Sequence, residues 1–459
     1  MKHLYLSEII NIIDGNILSK SETDPLIKNV ISRKSDRITN STLIFFPHKS
    51  KLKNKLKLKS CIIVTQKPEL FLDLSNSYTI VAVKSSEIAF EKFTSFYRNL
   101  FQLSVIGITG TCGKTTTKEM VSSILEQDLN IVKTIQSKNS RTRNLNYLMK
   151  IDQKTDAAVI EVGVGFPGGI KTFAKYFKPS IGVITNIETD HVLGFKTHQA
   201  YINEKAMMLK VINENGTIIL NSDDENIQSL DKKNIKGKIV YFGIKEDSHF
   251  KARNIKYEVD GMSFEVIFQS KIFYCKINGF GKHNVYNALA ALAVTSLLGI
   301  DLKVAIERLK NFQPLARHLQ IRRGVNHCTL LDDTWNTNSK SIESALEVLC
   351  NIAKGRKSIA VLGDIHELGV LSKNEHRKIG EIVHKLKIDH LITVGSEAKF
   401  IAKRALELGM DASNIIILNR QEELVDLLPK IADKNSIVLI KTSMRNSFSN
   451  ILKKIILDF

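Results

Sequence analysis

Residues 104–118 read Ser-Val-Ile-Gly-Ile-Thr-Gly-Thr-Cys-Gly-Lys-Thr-Thr-Thr-Lys. An apolar run from Val105 to Ile108 enters a glycine turn, and Lys114-Thr115-Thr116 opens a helical pattern reaching about Leu125. Gly110 and Gly113 can take positive φ without a Cβ penalty, so the backbone can close around an anion. Free N–H groups at the new helix N-terminus favour phosphate oxygens, and the macrodipole adds to this. Lys114 would reach the outer phosphates and Thr115 would place its hydroxyl on Mg²⁺. The common spacing G-x-x-x-x-G-K-[ST] puts a glycine where this chain has Ile108; the loop is the shorter Gly110-x-x-Gly113-Lys114-Thr115. Taken alone, that loop leaves a chance turn open. Its strand–loop–helix setting points to an ATP or GTP site.

Working outward, 459 residues are enough for more than one core. Hydrophobic residues at 43% and charged residues at 25% fit a soluble globular protein. The net charge of +19 suits anionic substrates, a membrane surface or nucleic acid. The densest basic run, His48 to Lys59, holds six lysines and no interleaved aromatic, so no nucleic-acid partner is expected. Cys61, Cys112, Cys275, Cys328 and Cys350 are odd in number and lack metal or disulfide spacing, which fits a reducing compartment. Glu8 and Asp14 interrupt the N-terminal apolar pattern, arguing against a signal peptide, and no stretch approaches the ~20 apolar residues of a membrane span. A cytoplasmic protein without a membrane span, working as a monomer, is the expectation.

Three α/β domains are expected, at 1–102, 103–313 and 314–459. In the first, Thr42 to Phe46, Cys61 to Val64 and Tyr78 to Val83 read as strands, with a helix from Ser86 to Leu100. In the second, Ala157 to Glu161, Ser180 to Thr185 and Gly216 to Leu220 are apolar on both faces, as in a mostly parallel sheet covered by helices. Lys238 to Phe242, hairpin-like alternation from Met262 to Ile277 and an apolar helix from Asn284 to Leu298 follow. Beyond Pro314, strands at 329–332, 358–362, 390–394, 414–418 and 436–440 predict a Rossmann-like domain. It lacks G-x-G-x-x-G after its first strand, so nothing supports a dinucleotide.

Open α/β sheets bind ligands at the carboxyl ends of their strands. Glu161 ends what reads as the second central strand, where a carboxylate can hold Mg²⁺ opposite Thr115; a plain surface glutamate is the alternative. His191 lies beyond the third such strand, in Thr185-Asn186-Ile-Glu-Thr-Asp190-His191, and Mg²⁺ prefers oxygen ligands to imidazole. Lys205, in the helical pattern from Ala200 to Val211, reads as a solvated lysine. Asn284 and Asn287 share a helix face and could read an adenine edge, or Asn284 could be an N-cap. Asp332 and Asp333 end a buried strand where ribose hydroxyls could bind, and Gly363-Asp364-Ile365-His366 ends the next. Cys112 reads as a small filler in the phosphate loop.

Together these pieces resemble the Mur ligases, ATP-dependent amide-forming enzymes of peptidoglycan precursor synthesis. The resemblance covers all three blocks. It rests on Thr109 to Thr116, Glu161-Val-Gly163, Thr185-Asn186 with His191, Lys205, His283-Asn284 with Asn287, Arg317, and Asp332-Asp333. Leu331-Asp332-Asp333-Thr-Trp335-Asn336-Thr-Asn338, followed by Val361-Leu-Gly363-Asp364, is most similar to the D-alanyl-D-alanine-adding branch, and Ser35-Asp36-Arg37 resembles its nucleotide-sugar-binding domain. The resemblance implies catalytic roles for Lys114, Glu161, His191 and Lys205. It implies ATP contacts from Gly110, Thr111, Gly113, Lys114, Thr115, Thr116, Asn284, Asn287, Arg317 and Asp332. Two Mg²⁺ ions are implied, one at Thr115 and Glu161, the other at His191 and a carbamylated Lys205. The implied reaction joins D-alanyl-D-alanine to a UDP-N-acetylmuramoyl tripeptide through an acyl phosphate; a ligase of another acid and amine, or a P-loop protein without ligase activity, are the alternatives. One departure concerns the acceptor: the branch carries Asn-x-Asn-Asn-x-Ile-Gly after the loop. Here residues 139–144 keep Asn139, while Ser140 and Arg143 replace the second paired asparagine and the glycine. Cys112 replaces the usual asparagine within the loop.

Overall fold

The alternation of apolar strands and helices resolves, in a computed structural model of the chain, into α/β layers built on mostly parallel sheets. The structure describes residues 1–20, 22–32, 38–53, 58–140, 143–188, 192–195, 197–233, 235–443 and 448–457. Among these, the N-terminal block forms a sheet in the order Asn16–Ser19, Thr79–Ala82, Ile62–Thr65, Thr42–Phe45 and Asn29–Ser32. Its first pair is antiparallel and the rest are parallel. The Ser35-Asp36-Arg37 motif and positions 54–57 of the lysine run lie outside the described residues.

The central sheet has nine strands among the described residues. Its strand Ser104–Thr109, third from the Ile131–Lys133 edge, runs parallel to Ala157–Glu161 on one side and Ile181–Ile184 on the other. The chain leaves Ser104–Thr109 for the short edge strand Ile131–Lys133, returns through Ala157–Glu161, then crosses to Ile181–Ile184. The topology therefore switches direction at Ser104–Thr109, the place where open α/β sheets form a ligand crevice. Phosphate loop, Glu161 and Thr185-Asn186 all leave at one carboxyl edge.

Both faces of this centre are dry. Ile106 and Ile108 pack with Met120, Val121, Ile124 and Leu125 of the helix Lys114–Leu125 and with the apolar helix Lys282–Leu297. The opposite face packs Val105 and Ile160 with Phe173, Phe177 and Met208. Each such side chain contributes about 1.5–3 kcal/mol on burial, whereas a strained loop residue costs about 1–3 kcal/mol. The core therefore outweighs the strain of a tight glycine loop at its edge.

The C-terminal sheet runs Gln320–Arg323, Thr329–Asp333, Ser436–Lys441, Lys357–Gly363, His390–Val394 and Ile415–Leu418. The first pair is antiparallel and the remainder parallel. Most strands expected from sequence occur within a residue or two. The differences are at edges. Ile131–Lys133 is a three-residue strand, so Glu161 ends the third central strand rather than the second. Phe250–Tyr257 and Gln320–Arg323 alternate weakly and are also strands. The apolar helix begins at Lys282, with Gly281 as its N-cap, so Asn284 is not the cap.

Candidate active site

The helix Lys114–Leu125 starts at Gly113, whose φ of +80° only glycine holds comfortably. A Cβ there would lie 2.3 Å from Asn287 Oδ1. The loop before it is held from behind by the neighbouring strand end. Thr111 N donates to Asn186 O (2.9 Å), Cys112 N to Asn186 Oδ1 (2.8 Å), and Thr185 Oγ1 donates to Cys112 O (2.6 Å). Thr111 Oγ1 also meets the Tyr201 hydroxyl at 3.2 Å. Lys114 Nζ folds back onto its own loop, donating to Gly110 O (2.8 Å) and Thr111 O (2.7 Å). That leaves a cation at the loop mouth, poised for an anion.

Thr115 Oγ1 donates to Glu161 Oε2 at 2.9 Å, and Asn139 Nδ2 donates to Glu161 Oε1 at 2.6 Å. Ser137 Oγ lies 3.0 Å from Thr115 Oγ1. A hydroxyl and a carboxylate from adjacent elements, at the mouth of a phosphate loop, form the all-oxygen donor set a hard cation takes. The expectation for Thr115 and Glu161 fits this geometry.

Lys205 is not solvated. It is 1% exposed on the helix His198–Val211, with Nζ 2.7 Å from Gly110 O, 3.2 Å from Thr109 Oγ1 and 5.0 Å over the Tyr201 ring. The sequence reading missed this because the helix is buried along the very turn that carries Glu204 and Lys205. Glu204 is satisfied by Gly168 N (2.8 Å) and Ile170 N (3.0 Å), fixing the turn after Glu161. His191 lies outside the described residues, and no group of three His, Cys, Asp or Glu among the described ones could hold a metal.

A cavity of about 1260 Å³ opens over this edge, lined by Thr111 to Thr116, Glu161, Lys205, Asn284 and Asn287. The far wall comes from the C-terminal block: Asp333 and Lys441 at strand ends of its sheet, and His318, Trp335 and Asn338 in the loops beside them. Gly110, Arg317 and Asp332 do not line it. Gly110 is screened by the loop it turns. Arg317 donates to Thr334 Oγ1 and Thr334 O, both at 2.7 Å, and Asp332 Oδ1 accepts from Thr334 Oγ1 at 2.6 Å. Burial raises the Asp332 pKa, with Thr334 and Arg317 opposing. Arg317 and Asp332 thus brace the strand end behind the wall. Their chain neighbours His318 and Asp333 face the cavity.

Asp333 pairs with the buried Lys441 at 2.9 Å across adjacent strands. His283 faces them from the start of the helix Lys282–Leu297. Burial pushes its pKa down to about 4, so it is neutral at pH 7, and its Nδ1 has no hydrogen-bond partner among the described residues. Asn284 donates to Phe280 O (2.8 Å) and accepts from Asn287 Nδ2 (3.2 Å), while Asn287 Oδ1 accepts from Thr117 Oγ1 (3.2 Å). The paired amides therefore anchor this helix to the phosphate-loop helix as well as facing the cavity. Glu188 shares the lining, and burial raises its carboxyl pKa against the pull of Lys340.

Two contributors escaped sequence reasoning. Asn338 caps the helix Ser339–Ala353 and also donates to Cys112 Sγ at 3.1 Å, joining the C-terminal sheet to the phosphate loop. Cys112 is thus a contact between units, more than a filler. Lys118 is wholly buried. Its spacing from Val121 and Leu125 would have placed it on the inward helix face.

Among the described residues, no helix is long and apolar enough to cross a membrane. The sequence matches the Mur ligase middle domain over residues 108–295 and the Mur ligase, glutamate ligase domain over residues 317–444. It is 30% identical over 380 residues to a UDP-N-acetylmuramoyl-tripeptide--D-alanyl-D-alanine ligase of Buchnera aphidicola, covering 83% of this chain and 81% of that protein. The fold matches MurF from Acinetobacter baumannii with a TM-score of 0.85, at 22% identity over 99% of this chain and 98% of the other. It also matches MurF ligase from Thermotoga maritima, solved in complex with ADP, with a TM-score of 0.78 at 21% identity over 93% and 97% of the two chains. Phosphate loop, strand-end carboxylate and buried lysine stand on the fold those proteins share: the chain belongs to the Mur ligase family.

Proposed function

We propose that this protein is an ATP-dependent ligase that joins D-alanyl-D-alanine to a UDP-N-acetylmuramoyl tripeptide, an ADP-forming step of peptidoglycan precursor synthesis in the cytoplasm. The observation that carries the ATP-dependent chemistry is the Thr115–Glu161 pair at the mouth of the phosphate loop, facing a cavity walled by both larger sheets. The choice of substrates is supported by the similarity to D-alanyl-D-alanine ligases over most of the chain. We place domain boundaries at 1–102, 103–313 and 314–459, one large sheet in each. We take a monomer as the working unit.

In this reading the acceptor carboxylate attacks the γ-phosphorus of ATP and ADP leaves. The amine of the dipeptide then attacks the acyl phosphate, an amide forms, and phosphate departs with loss of a proton from nitrogen. Lys114 swings from its loop carbonyls to the outer phosphates, offsetting charge as it spreads over the transferred group. The N–H groups of the first helical turn after Gly113 orient the phosphates, and Asn284 and Asn287 face the adenine. Thr115 and Glu161 would hold Mg²⁺, which supplies charge neutralisation at the phosphates. The Lys205 ammonium is a donor to Gly110 O, so the second ion implied by the resemblance requires the lysine to be carbamylated first. Closure of the C-terminal sheet, through Asn338 on Cys112, excludes water from the acyl phosphate.

A second reading, a Mur-type ligase of another acid and amine, is favoured by Ser140 and Arg143 in the acceptor-side segment. One assay separates them. Purified protein should release phosphate from ATP only when the muramoyl tripeptide and D-alanyl-D-alanine are both present, with a product mass equal to their sum less water. Turnover with a different acid or amine, and none with this pair, selects the second reading.

A further inference from the structure

We propose that Lys118, which no step of the reaction uses, is a positioning residue that sets the Thr115–Glu161 oxygen pair by holding the backbone of residues 134–139. The proposal rests on the ATP and Mg²⁺ part of the proposed function. Lys118 lies one turn beyond Lys114 and is 0% exposed. Its Nζ donates to Thr134 O at 2.6 Å and to Gln136 O at 2.7 Å, and pairs with Glu119 Oε1 at 2.6 Å. Desolvating an ammonium costs several kcal/mol, so a lysine at an inward helix position needs these partners.

The partners belong to the segment that builds the site. Thr134 Oγ1 accepts from Glu161 N at 3.0 Å, Ser137 Oγ meets Thr115 Oγ1, and Asn139 grips the second Glu161 oxygen. Gln136 sits at a φ of +49°, a turn that an unrestrained glutamine would leave. On its other side the Tyr147 hydroxyl accepts from Ile135 N (3.2 Å) and donates to Lys138 O (3.0 Å). Two side chains thus clamp one turn, and the turn delivers Ser137 and Asn139 to the oxygen pair. Lys118 acts on the cation through the segment and touches neither substrate nor ion.

Groups that orient ligand side chains typically change metal affinity by about 10–100-fold when removed. The test is calorimetric titration of ADP into the full-length protein across a Mg²⁺ series. Lys118→Met should weaken the Mg²⁺-dependent part of binding at least about tenfold and leave Mg²⁺-free ADP binding within twofold. Lys118→Arg, which can still reach both carbonyls, should recover part of the loss. A folded Met variant with an unchanged Mg²⁺ dependence would overturn the proposal, as would an equal loss without Mg²⁺. If Lys118→Met does not fold, Glu119→Gln carries the test, because it weakens one of the ammonium's three partners from outside without opening the core. It should give a shift of roughly two- to fivefold in the same direction, and no shift overturns the proposal. Since the readout needs only ADP and Mg²⁺, a wrong assignment of acid or amine leaves it intact, and a null shift leaves the ligase reading intact.

Discussion

Lys114→Met should reduce kcat by roughly 10²–10³ or more, the loss seen when one pre-positioned donor is removed from a developing charge. The lysine is partly exposed and its two bonds go to carbonyls of its own loop. Removing a hydrogen bond of this kind costs about 1 kcal/mol of stability, so the variant should fold and melt close to the wild type. A large kinetic loss on a small stability loss is the signature of a group whose main partner is the transferring phosphoryl. Steady-state phosphate release and a thermal melt on the same preparation check this. A kcat within about threefold of wild type would remove Lys114 from the chemistry.

Gly110→Ala should weaken ADP binding roughly 10- to 100-fold, from backbone strain of about 1–3 kcal/mol. Gly110 has a φ of +145°, and a Cβ there would lie 1.9 Å from Thr185 Oγ1 and 3.2 Å from Asn186 N. Thr185 cannot yield freely, because its hydroxyl holds Cys112 O and so shapes the loop. Gly110 O also receives both Lys114 and Lys205. One added carbon therefore disturbs two cations and the loop that sits between them. Calorimetric ADP affinity below this range of loss would mean the loop tolerates the shift. The glycine thus acts through backbone shape, which reconciles its importance with its absence from the cavity lining.

The sequence makes the framework legible where one element carries one signal. Val105 to Ile108, Ala157 to Glu161 and the helix from Lys114 are read directly because each is apolar on both faces or begins at a glycine. The residue pattern alone puts Lys205 in solvent, because a lysine beside a glutamate in a helix looks solvated, whereas the resemblance puts it in the site. Its burial depends on Gly110, Thr109 and Tyr201, which lie far away in sequence. Arg317 and Asp332 were assigned to ATP from the resemblance. A shared partner, Thr334, turns both aside from the cavity and leaves His318 and Asp333 facing it. Asn338 against Cys112 joins two sheets, and local pattern cannot report such a contact. Edge strands such as Ile131–Lys133 are too short for periodicity to register.

In the proposed reaction ATP activates a carboxylate in this cavity before an amine attacks it. The most direct measurement labels both terminal carboxylate oxygens of the muramoyl tripeptide with the heavy oxygen isotope and runs one turnover with D-alanyl-D-alanine. An acyl phosphate requires one labelled oxygen to leave with each inorganic phosphate and the other to remain in the amide. Phosphate free of label, alongside amide product, would rule out an acyl phosphate intermediate.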